Sequence, residues 1–112
     1  MKAQPSKCPA EVTLALIAGR WKIPLIFHLL AGAKRFSELF RALPGVTQKV
    51  LTQQLREMER HGLVERRVFA QVPPKVVYSL TPLGKSLKPV VNAMCRWGDL
   101  HGSSAATREA QS

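Results

Sequence analysis

The sequence predicts a mainly α-helical α+β domain with one small β wing, on three observations. Short apolar-periodic stretches fill residues 8–62, several opened by a proline or capping residue and closed by a glycine. Two β-rich runs, at 63–68 and 76–80, flank a loop that contains Pro73-Pro74. A last apolar stripe then begins behind Thr81-Pro82 and runs to about residue 101. The order is helix, helix, short helix, turn, helix, two strands, helix, and 112 residues favour one domain.

The first helix starts at Cys8. Pro9 suits the first helical position, and Glu11 suits the positive end of the helix dipole. It runs to about Ala18 and is apolar nearly all round, with Val12, Ala15 and Leu16 on one side and Leu14 and Ile17 on another. A first helix in so small a domain can rarely hide both sides, so one is expected to meet a second copy of the chain. The second helix is expected from about Pro24, because Ile23 precedes proline and is biased away from helix. Leu25, Ile26, Leu29 and Leu30 point inward, and the helix ends near Gly32. Residues 34–36 read as extended. Ser37 is expected to cap a third helix over 38–42, which buries Leu39, Phe40 and Leu43.

The stretch 44–62 organises the rest. Pro44-Gly45 makes a turn, Thr47 caps a helix, Val50, Leu51, Leu55 and Met58 recur at helical spacing, and Gly62 ends it. The opposite face carries Gln48, Lys49, Thr52, Gln53 and Arg56, with no acid among them. A polar, cationic helix face behind a tight turn suits entry into a DNA major groove. Residues 63–68 and 76–80 are the two wing strands. In the final helix Leu83, Leu87, Val90, Val91, Met94 and Trp97 form the apolar stripe, and Pro89 predicts a kink or break. Residues 1–7 are expected to be flexible, 8–101 to form the domain, and 102–112 to be a disordered tail.

Charge points to the partner. Lys and Arg number 17 against 7 Asp and Glu, a net charge of +10, which implies a polyanion. No apolar run is long enough to cross a bilayer, and the first seven residues lack the apolar core of a signal peptide. A cytoplasmic protein with reduced thiols and no membrane association is therefore expected. The two Cys are far apart in sequence, and neither they nor His28, His61 and His101 have metal-ligand spacing. No cofactor or metal is expected, and the thinly spread acids give no catalytic constellation, so no enzyme is expected either.

Three stretches carry a resemblance to one family: CPAEVTLALIAGRWK at 8–22, KRFSELFRALPGVTQKVLTQQLREMERHGLVERR at 34–67, and VPPKVVYSLTPLGKSL at 72–87. In combination they resemble the HxlR-type winged helix-turn-helix transcription regulators, over roughly residues 8–101. The resemblance implies a homodimer that binds operator DNA, with the first and last helices building the dimer. It also implies that some members sense electrophiles or oxidants through a Cys at the position of Cys8. The first helix departs from the family in carrying few charges.

Gln48, Thr52 and Gln53 are the base readers, Lys49 and Arg56 touch bases or phosphates, and Thr47 is a cap first. On the wing and its flanks, Lys34, Arg35, Arg67 and Lys75 are assigned to the DNA backbone or minor groove. Arg66 and Arg67 point to opposite faces, so at most one faces DNA, while Arg20, Arg41 and Arg60 add to the field. Val12, Leu14, Leu16, Ile17, Val91, Met94 and Trp97 are assigned to the dimer interface. Cys8, at a helix N-terminus beside Lys7, sits where a thiolate is stabilised and is the candidate for sensing an electrophile or oxidant. Cys95 reads as packing. The competing reading is a winged-helix module that binds protein or RNA without an operator.

Overall fold

The computed structural model describes residues 8–111, with side chains described to residue 102. The first seven residues, expected to be flexible, and Ser112 lie outside the described residues. Five helices precede or follow the hairpin, with a sixth running to the end: α1 Pro9–Ile17, α2 Lys22–Leu30, α3 Phe36–Ala42, α4 Gln48–Arg60, α5 Pro82–Lys85 and α6 Lys88–Gln111. The strands are β1 Lys34–Arg35, β2 Val64–Phe69 and β3 Lys75–Leu80. They form an antiparallel sheet in the order β1-β3-β2. The expected two-stranded wing thus gains a third, two-residue strand. The extended segment before α3 finds open backbone groups on the edge of β3, and Lys34 lies opposite Tyr78.

One core joins these elements. Ile17, Leu25, Ile26, Leu29, Leu39, Leu51, Leu55, Met58, Val64, Leu80 and Val91 are all buried in it. Each fully buried aliphatic side chain contributes about 1.5–3 kcal/mol relative to exposure. Every helix except the short α5 therefore supplies buried aliphatic side chains to one shared cluster. Ile17 and Val91 are part of that cluster, at 1% and 0% exposure. Their assignment to a dimer surface is corrected: each is already buried by its own chain.

Several element boundaries differ from expectation for local reasons. Helix α2 begins at Lys22, so Pro24 sits in its first turn, where the missing N–H has no intrahelical partner to lose. Ile23 is helical despite preceding proline, and packs against the core. Helix α3 begins at Phe36, not after Ser37. Its start is held by Glu38, whose Oε1 accepts from the Arg35 N–H at 2.7 Å. The break in the last helical stretch falls at Ser86-Leu87, between α5 and α6, and not at Pro89. Pro89 instead occupies the first turn of α6, a position it tolerates. The backbone of 102–111 is helical where a disordered tail is expected. Ala105, Ala106, Arg108, Glu109 and Ala110 are good helix formers, and α6 is already nucleated before them.

Candidate nucleic-acid interface

The connection between α3 and α4 is a β-turn of the type its residues demand. Pro44 and Gly45 take the central positions, Val46 N–H donates to the Leu43 carbonyl at 3.2 Å, and Gly45 adopts φ +92°. Val46 is buried and anchors the turn. Thr47 then caps α4, its Oγ1 accepting from the Val50 N–H at 3.1 Å. At the other end Gly62, at φ +75°, closes a Schellman motif: Leu63 N–H donates to the Met58 carbonyl at 2.9 Å and Gly62 N–H to that of Glu59 at 3.0 Å. Both ends of α4 are thus fixed by groups the sequence names.

The rotation of α4 is fixed from within. Leu51, Leu55 and Met58 are buried, which turns Gln48, Lys49, Gln53 and Arg56 outward with Thr52 half-buried beside them. A second constraint is an ion pair invisible in the sequence. Lys22 Nζ, 6% exposed at the start of α2, lies 2.5 Å from Glu57 Oε1 on α4. The hydrogen bond and charge of Lys22 hold the Glu57 carboxyl below its ordinary 4.5, outweighing the opposing effect of its partial burial. Helix periodicity gave no sign that Lys22 points inward.

The sheet sorts the basic residues by register. Arg66 lies opposite Tyr78, and Tyr78 opposite Lys34, so these three share the face that also carries the buried Val64 and Leu80. Arg35, Arg67 and Lys75 belong to the other face: Arg67 and Arg35 both pair with Val77, and Lys75 with Phe69. Arg67 Nη2 is 3.6 Å from a carboxylate oxygen of Glu65, and the Lys75 ammonium sits 5.4 Å from the Phe69 ring centre. Of the two wing arginines it is therefore Arg66, not the assigned Arg67, that turns toward α4.

Between α4 and that sheet face lies an open cleft of about 340 Å³. Thr52, Arg56 and Arg60 line it from α4, Arg66 and Tyr78 from the sheet, with Leu55 beneath. Arg66 Nε is 3.7 Å from Glu59 Oε1, which also lines the cleft. Burial raises the Tyr78 phenol above its ordinary 10.0, against the pull of Arg66 and Arg56, so at neutral pH it is a protonated donor. Sequence reasoning left Arg60 in the general field and gave Tyr78 no role. The register Arg66↔Tyr78 depends on the length of the wing loop, which periodicity alone does not fix.

A second surface stands on the far ends of the chain. Val12, Leu14, Val90, Met94, Trp97 and Leu100 are exposed on α1 and α6, and Leu16 is half-buried. An apolar groove of about 250 Å³ lies between Leu14 and Ile17 on one side and Val90 and Met94 on the other. Cys8 is exposed at the N-cap of α1, its N–H donating to Glu11 Oε1 at 3.2 Å. Cys95 is exposed too, which corrects its reading as a packing residue. It lies on α6 beyond the buried Val91, where nothing among the described residues covers it. No single helix among the described residues is long and apolar enough to cross a membrane.

Known proteins agree with this architecture. The profile of the HxlR-like helix-turn-helix family matches residues 16–106. The HTH-type transcriptional regulator YdeP of Bacillus subtilis is 52% identical over 92 residues, which are 82% of this chain and 72% of that one. The redox regulator HypR in its reduced form superposes with a TM-score of 0.85 at 47% identity, covering 89% of this chain and 99% of the other. Diamide-treated YodB of B. subtilis gives a TM-score of 0.73 at 37% identity, covering 86% and 96%. With a capped and buried α4 presenting an acid-free face beside a basic wing, the chain belongs to the HxlR family of helix-turn-helix transcriptional regulators, which act by binding DNA.

Proposed function

We propose that the protein binds a near-palindromic operator as a homodimer, with α4 of each subunit in a major groove. The observation that carries this reading is the outward face of α4, where Gln48, Lys49, Thr52, Gln53 and Arg56 stand together behind a fixed turn. Gln48, Thr52 and Gln53 read base edges, and Lys49 and Arg56 add contacts to bases or phosphates. Lys34, Arg35 and Lys75 supply sequence-independent attraction from the wing and its flank, while Arg67, on the opposite face from Arg66, adds only to the long-range field. The exposed apolar surface of α1 and α6 meets its copy across a two-fold axis.

Cys8 is the sensing residue in this reading. Its exposure and its place at the start of α1 support the assignment, as do the relatives: HypR is described as a redox regulator in oxidised and reduced forms, and YodB was studied after diamide treatment. With diamide, two thiols lose two protons and two electrons to the N=N bond and one S–S bond forms. With a quinone, the Cys8 thiolate adds to a ring carbon: the S–C bond forms as a C=C π bond breaks, and its electron pair moves to the carbonyl oxygen, which takes up a proton from water. Either product adds bulk or a tether beside the subunit interface and changes the spacing of the two α4 helices. The test is operator affinity of wild type and Cys8→Ser before and after diamide or a quinone. Affinity should change in wild type alone. An equal change in both proteins, or none in either, removes Cys8 from the mechanism.

A further inference from the structure

The cleft between α4 and the sheet has a composition that the base-reading role of α4 does not require. Arg56, Arg60 and Arg66 line it together with one acid, Glu59, and Tyr78 adds a neutral phenol. We propose that this cleft is a seat for one phosphate of the DNA backbone, and that Glu59 is a counter-ion that holds Arg66 until the phosphate displaces it. The inference rests on the operator reading above.

The geometry supports each part. Arg66 Nε and Glu59 Oε1 are 3.7 Å apart, beyond a direct hydrogen bond, and both side chains keep solvent access, at 49% and 30%. Such a pair is weak and exchangeable. A phosphate diester offers a guanidinium two oxygens in bidentate geometry, so it is the stronger partner. Thr52 joins the base-reading face to the wall of the cleft. In the operator reading, a duplex strand that leaves the major groove beside α4 passes over the opening. The mostly polar lining excludes an apolar ligand. When no phosphate occupies the seat, Glu59 lowers the local positive potential. Loosely placed DNA then gains less from Arg66 than DNA docked in register.

The experiment is a double-mutant cycle on the full chain, read as duplex affinity by fluorescence anisotropy. Glu59→Gln should tighten binding about two- to fivefold in the wild-type background, the range of an exposed ion pair. In the Arg66→Gln background the same change should do almost nothing. Arg66→Gln alone should weaken all duplexes alike and reduce the salt slope by about one unit. Equal gains from Glu59→Gln in both backgrounds overturn the proposal, because Glu59 then acts only through net charge. No gain in either also overturns it. Inorganic pyrophosphate, at matched ionic strength, should compete with DNA only weakly, at about millimolar concentration or above. Specific displacement well below that concentration that disappears in Arg66→Gln assigns the cleft to a free phosphoryl ligand and overturns the backbone seat. If wild type binds no duplex at all, the operator reading fails and the seat with it, whereas every other adverse outcome leaves that reading intact.

Discussion

At the scale of single residues, two positions hold more of the fold than their identity suggests. Gly84 lies in α5 against the backbone of Leu63, in the turn between α4 and β2. A Cβ there would stand 2.2 Å from the Leu63 carbonyl oxygen, which already accepts from the Thr81 N–H at 3.0 Å. Gly84→Ala should therefore destabilise the protein by about 1–3 kcal/mol, through forced movement of backbone and not through loss of any contact. Urea unfolding checks this, and an unchanged midpoint would show that α5 yields freely. Glu57 is the second position. Its folded carboxyl titrates below the ordinary 4.5 because of Lys22. The stabilisation it gives is thus present above that value and is lost as pH falls through the lower folded value. In thermal melts from pH 7 to pH 3, wild type should be more stable than Glu57→Gln near neutrality, and the gap should close on acidification. A gap independent of pH would mean that Glu57 acts by packing alone.

At the scale of elements, α4 and the wing are expected to act on different parts of the binding energy. Gln53 is exposed on the α4 face, and its loss should cost roughly 1–3 kcal/mol on the preferred duplex while sparing unrelated ones. Lys75 rests on Phe69 at the wing end, so Lys75→Ala should weaken all duplexes alike and flatten the salt slope by about one unit. Affinity titrations on matched and scrambled duplexes at several salt concentrations separate the two. A change of sequence preference on losing Lys75, with the slope unaltered, would reverse the roles. The caps that aim α4 were legible in the sequence, since Thr47, Pro44-Gly45 and Gly62 have conformations dictated by local chemistry. The side-chain partners across elements were not, because Lys22 meets Glu57 only after α2 and α4 have packed.

At the scale of the whole molecule, the homodimer proposed through α1 and α6 can be tested on their exposed apolar surface. Leu14 is 54% exposed, Trp97 61% and Met94 42%, against core residues near zero. Met94→Asp should convert a dimer to a monomer in sedimentation at micromolar concentration, and should weaken binding to a palindromic duplex far more than to a half-site. In the dimer the two α4 helices should lie about one DNA turn apart, roughly 34 Å. A wild-type monomer that still binds the palindrome tightly would leave the apolar surface without this role.

The sequence by itself determined the helical order, the turn before α4, the wing and the basic character of the partner-facing surface. These follow from short-range rules: proline and glycine conformations, hydroxyl caps, periodicity and charge. Only the tertiary structure decided that Ile17 and Val91 are core, that Cys95 is exposed, that Lys34–Arg35 add a third strand, and that Arg66 rather than Arg67 faces α4. Periodicity tells which residues share a face. Which face is covered, and by which partner, depends on contacts between elements distant in sequence, and those exist only once the chain has packed.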